Sequence, residues 1–82
     1  MSRYFLHIRD GDRFIEDFEG QDYSSLDAAR DDAVVSARQM MAEKVRQGEA
    51  LDGQVIEIWN EAGSCVATVV FRDQLVAHKP SS

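Results

Sequence analysis

The sequence has 82 residues and a formal net charge of −6, with 44% hydrophobic and 29% charged residues. A chain of that length buries only about 60 to 65% of its surface on folding, so it builds one core and one domain. The composition is too apolar for a disordered chain. The acidic balance speaks against a general binder of nucleic acid or anionic membrane, both of which depend on Lys and Arg.

The first segment, Arg3 to Arg9, is rich in aromatic and aliphatic residues and runs into Asp10-Gly11, a hairpin-turn signal that predicts an antiparallel return over Arg13 to Asp17. With Asp10-Gly11 as the turn, Arg9 faces Asp12, His7 faces Phe14, Leu6 faces Ile15 and Phe5 faces Glu16. A three-residue loop would instead set Phe14 beside Ile8.

Glu19 to Asp22 is polar and reads as a loop. Ser24 or Ser25 then caps a helix predicted from Leu26 to about Gln47, with Asp27, Asp31 and Asp32 near its start, Lys44 and Arg46 near its end, and Gly48 as its stop. Leu26, Ala29, Ala33, Val34, Ala37, Met40, Met41 and Val45 fall in one apolar stripe at helical spacing.

Leu51-Asp52-Gly53 turns the chain into a strand over Gln54 to Asn60, and Glu61 to Ser64 forms a second hairpin loop into Cys65 to Phe71. The expected fold is α+β with order β-β-α-β-β, a four-stranded, mainly antiparallel sheet with one helix packed on one face. The domain spans 1–73, and 74–82 is expected to be a flexible tail.

Tyr4-Phe5, His7, Arg9-Asp10-Gly11, Asp17, Glu19-Gly20, Ala28-Ala29-Arg30, Leu51-Asp52-Gly53 and Thr68 to Phe71 together resemble a family of small bacterial domains of unknown function. Its members show a YFxHxRDG start, a DxEG loop, an AAR helix and an LDG turn before a second hairpin. The resemblance runs from about residue 3 to about residue 73 and implies a fold without an activity. The sequence departs from the pattern at Val70, where proline is frequent, and at Ala62, where an acidic residue is frequent.

Reactive constellations are sparse. Asp10, Asp12, Glu16, Asp17 and Glu19 cluster around the first hairpin without the alternate spacing of a calcium loop, so they read as a solvated turn. His7 and His78 with Cys65 make no zinc set, and no glycine-rich phosphate loop is present, so no metal and no cofactor is expected. Cys65 is the one cysteine, which excludes an intrachain disulfide and suits a reducing compartment; the expected location is cytoplasmic. Met1 to Arg9 lacks the plan of a signal peptide, and no run approaches the ~20 apolar residues of a membrane span.

Strand alternation places Tyr4, Leu6, Ile8, Ile56, Ile58, Ala67, Val69 and Phe71 toward the helix. The other face holds Phe5, His7, Phe14, Val55, Glu57, Trp59, Val66, Thr68 and Val70, which is too apolar for a face left to water. The expectation is a small non-enzymatic interaction or regulatory module. It self-associates, as a dimer, through a helix-free interface of Phe5, His7, Phe14, Val55, Trp59, Val66 and Val70. Two alternatives compete: a different protein or a peptide on that face, or single-stranded nucleic acid stacked on Arg3, Phe5, His7 and Arg9, which the net charge disfavours.

Overall fold

A computed structural model describes residues 1–51 and 53–75. Its helix α1 spans Leu26–Arg46, close to the predicted limits. The Ser25 hydroxyl accepts the Ala28 N–H at 3.1 Å and caps the first turn. At the other end Gly48 N–H donates to the Val45 carbonyl at 3.0 Å and Glu49 N–H to the Lys44 carbonyl at 2.8 Å, the paired bonds of a Schellman motif.

Ala29, Ala33, Ala37 and Met41, spaced by four, form the buried row of α1. Three small side chains in that row let the helix backbone lie close over the sheet. Val45 departs from the predicted stripe: it is 61% exposed, and it borders an open groove with Arg38 and Gln74.

The sheet has five strands, β1 (Ser2–Asp10), β2 (Arg13–Ile15), β3 (Gln21–Tyr23), β4 (Val55–Asn60) and β5 (Cys65–Val70), one more than expected. Every pairing is antiparallel; β1 and β4 lie in the middle, β5 forms one edge, and β2 and β3 share the other. The added strand is β3. It pairs Ser2 with Tyr23, Arg3 with Asp22 and Tyr4 with Gln21, and so short a polar run has no alternation to read. Its anchor is Tyr23, buried in the core beside Tyr4, with its hydroxyl donating to Asp32 of α1 at 2.5 Å. Burial, and then that bond, push the Tyr23 phenol well above its ordinary value.

The first hairpin differs from both predicted registers: Ile8 pairs with Ile15, Arg9 with Phe14 and Asp10 with Arg13. The turn is therefore Gly11-Asp12 rather than Asp10-Gly11. Gly11 has φ +62 and Asp12 does not have a positive φ, the pattern of a type II′ turn, which asks for glycine at its first position. This register sets Asp10 against Arg13 and brings the Arg9 guanidinium over the Phe14 ring, 4.5 Å from its centroid. The slip is by two residues, so each side chain keeps its predicted face.

Tyr23, Ile56, Ile58, Val69 and Phe71 meet the buried row of α1 to form the core, with Tyr4, Leu6, Ile8 and Ala67 packed around them. That is the face predicted from alternation. Gln74 begins the expected tail, yet it sits in a 3-10 turn (Arg72–Leu75) and donates to the Val70 carbonyl at 3.2 Å. Residues 76–82 of that tail, including His78, lie outside the described residues.

Candidate functional site

The helix-free face is built on three cross-strand pairs between β1 and β4: Phe5 with Trp59, His7 with Glu57, and Arg9 with Val55. Alternation turns all six side chains away from α1. His7 is nonetheless only 7% exposed, because its own chain folds over it. Phe5 stacks beside the imidazole at 6.2 Å, Phe14 lies at 5.3 Å, and Trp59 meets it edge-on at 5.4 Å.

The covering segment is the arch from Glu16 to Gly20, which leaves β2 and returns as β3. Its pivot is Asp17. One carboxylate oxygen accepts the Leu6 N–H of β1 at 3.1 Å, and the other accepts the N–H groups of Glu19 and Gly20 at 3.3 and 3.1 Å. Asp17 N–H in turn donates to Nδ1 of His7 at 3.0 Å. With Nδ1 accepting, the neutral imidazole carries its proton on Nε2. Where β2 has ended and β3 has not begun, a side chain thus takes one hydrogen bond of β1, from the Leu6 N–H, that a strand would otherwise accept.

The DxEG and YFxH segments of the family pattern therefore meet in space. Asp17 and Gly20 close the arch onto Phe5 and His7, and the open position between Asp17 and Glu19 is Phe18. Phe18 is 80% exposed. It lines, with Phe5, His7, Phe14, Trp59, Glu16, Asp17 and Glu61, a concavity of about 340 Å³ on this face. The sequence reading missed Phe18; the available signal was a lone aromatic in an acidic run, Glu16-Asp17-Phe18-Glu19, where no strand or helix calls for one.

Beside the concavity a charged group is satisfied internally. Glu57 accepts from Arg9 Nε at 2.8 Å and from the Trp59 indole N–H at 3.0 Å. The Arg9 bond first, and then the indole bond, hold its carboxyl below the ordinary value of 4.5, against the opposing effect of burial. A depressed folded value means that this stabilisation is complete above the unfolded carboxylate range and disappears as pH falls through the folded value. Denaturant midpoints taken from pH 6 to 3 are expected to fall less steeply for Glu57→Gln than for the parent. Parallel curves would mean that the Arg9–Glu57–Trp59 network adds nothing.

Of the candidate interface, Phe5, His7, Phe14 and Trp59 come together at the concavity, while Val55 and Val70 face each other farther along the sheet. The pairing of β4 and β5 shifts between Ile58 and Trp59, so Cys65 rather than Val66 stands opposite Trp59. Val66 is 38% exposed on the edge strand. Three of the four residues of the stacking platform are engaged within the chain. Arg3 pairs with Asp22 at 3.3 Å and donates to the Glu19 carbonyl at 2.6 Å, Arg9 is held by Glu57 and Phe14, and His7 is buried.

Asp10, assigned to the solvated turn, receives Lys44 at 3.3 Å and the Gln54 side-chain amide at 3.1 Å, which ties β1 to the end of α1. Among the described residues no group of three or more His, Cys, Asp or Glu is placed to hold a metal ion. None of the described helices is long and apolar enough to cross a membrane.

Compared with known proteins, residues 3–72 match a family model described as Domain of unknown function (DUF6894). No curated protein and no solved structure matches the chain.

Proposed function

Because the chain belongs to DUF6894, whose description carries no activity, we propose its role from the site itself: a small non-enzymatic module that binds another protein through the helix-free face of its sheet. The observation that carries this is the aromatic concavity with Phe18, 80% exposed, on its lining. An aromatic side chain held out in water beside a concave apolar surface is the usual anatomy of a contact surface. Among the described residues the lining contains no serine, threonine, cysteine or lysine, and its one imidazole there has Nδ1 committed to the arch, which favours binding over catalysis. The exposed, unpaired thiol of Cys65 is consistent with a reducing, cytoplasmic setting.

Self-association is the second reading, and the edge strand favours it over the face. Two copies packed face to face would take the carboxylates of Glu16 and Glu61, which make no ion pair among the described residues, out of water, and each copy would bring the same uncompensated charges. The sequence of β5, Cys-Val-Ala-Thr-Val-Val, has no charge and no proline to discourage pairing with another strand.

A photoreactive benzoylphenylalanine placed at Phe18 in the native cell tests both readings, with the same residue at exposed Gln39 of α1 as control. A defined protein partner captured from position 18 and absent from position 39 is expected. Capture of nothing rejects the face as a contact surface, and capture of a second copy moves self-association onto it.

A further inference from the structure

We propose that the concavity on the helix-free face receives an organic cation, the arginine or lysine side chain of a partner segment. This rests on the reading of that face as a protein-binding surface and names the chemistry of what it binds. The walls are the rings of Phe5, Phe14, Phe18 and Trp59, and the lining includes three carboxylates, Glu16, Asp17 and Glu61, with no lysine or arginine among the described residues. Aromatic faces carry partial negative charge and attract ammonium and guanidinium groups, most strongly where carboxylates stand beside them and water is partly excluded.

The chain already makes this contact once. Arg9 lies over the Phe14 ring at 4.5 Å while its Nε reaches Glu57 at 2.8 Å. One wall of the concavity is thus an aromatic ring that holds a guanidinium, with a carboxylate completing the pair. Glu57 is neutralised by that bond, and Asp17 is answered by backbone N–H groups. Glu16 and Glu61 make no ion pair among the described residues, so they are the charges left for an incoming cation.

Other occupants fit less well. An anionic side chain would meet these carboxylates in a molecule of net charge −6. A neutral aliphatic one would strip water from Glu16 and Glu61 and return no counter-charge. The volume, about 340 Å³, is at the small end of ligand pockets and suits a side chain rather than a helix.

The test is a titration of the ¹⁵N-labelled chain with short blocked peptides that differ at one central residue: arginine, lysine, norleucine or glutamate. The arginine and lysine peptides, at millimolar concentration, are expected to shift the Trp59 indole N–H and the Gly63 amide, the arginine peptide more strongly. Replacing both rim charges, Glu16→Gln with Glu61→Gln, is expected to weaken that binding roughly threefold to tenfold and to leave the melting temperature unchanged, since both side chains are exposed. Half-molar salt is expected to act in the same direction on the parent protein. Norleucine binding as tightly as arginine would overturn the cation while leaving the face as a protein-binding surface. No shift from any peptide would overturn both.

Discussion

Ala33→Asp is expected to leave the chain mostly unfolded, whereas Val35→Asp, two positions along the same helix, is expected to melt close to the parent. Ala33 has no exposed surface and sits in the cluster of Ile56, Ile58, Val69 and Phe71. A carboxylate there has neither water nor a cation, and the helix row of alanines leaves no space into which it could turn. An unpaired buried charge costs several kcal/mol, and a domain this size has on the order of 4 to 12 kcal/mol in total. Val35 is 49% exposed, so its replacement keeps the charge hydrated. Thermal melts followed by helix circular dichroism decide the matter. Equal losses would mean that the buried row of α1 has been misassigned.

The second large effect is expected at Gly20, where alanine should cost roughly 2 to 4 kcal/mol. Gly20 has φ +67, and a Cβ there would come within 2.8 Å of the Phe5 ring and 2.9 Å of the Tyr4 carbonyl oxygen. The ring has some freedom to yield, but the carbonyl belongs to the central strand and does not. Gly11 provides the comparison, since it has a similar φ of +62 with nothing within 4 Å of the added atom. Gly11→Ala should therefore show the conformational cost alone, about 1 kcal/mol. Urea midpoints for the two variants separate strain from collision. If they are equal, the arch moves aside and the approach of Gly20 to β1 is not a constraint.

What could be read from the sequence was whatever is set locally. The capped, periodic run from Leu26 announced the helix, and alternation in Tyr4, Leu6, Ile8 and Ile56, Ile58 announced the core face. The register of the first hairpin was not legible, because Asp10-Gly11 and Gly11-Asp12 are both plausible turns. The choice between them rests on contacts across the strands, Arg9 on Phe14 and Asp10 against Arg13. β3 was illegible for a related reason. Gln21 and Asp22 have no strand character of their own and become a strand because β1 extends to Ser2 to meet them.

The candidate site divided along the same line. Phe5, His7, Phe14 and Trp59 were found by asking which face the helix leaves uncovered. Asp17 and Phe18 were not, because they act through an arch whose shape depends on distant partners. The acidic residues around the hairpin looked interchangeable in the sequence. In the structure, Asp17 bonds backbone N–H groups, Asp10 bonds Lys44 and Gln54, and Glu16 lines the concavity.

The arch also bears on stoichiometry. A sheet grows by adding a strand to an edge, and growth without limit requires two receptive edges on each copy. On the β2/β3 side Asp17 already occupies the amide of Leu6, and the paired stretches on either flank are three residues each. That side offers an incoming chain no continuous ladder. If β5 does join to another β5, each copy has spent its one receptive edge, and assembly stops at a closed pair instead of running on into a filament.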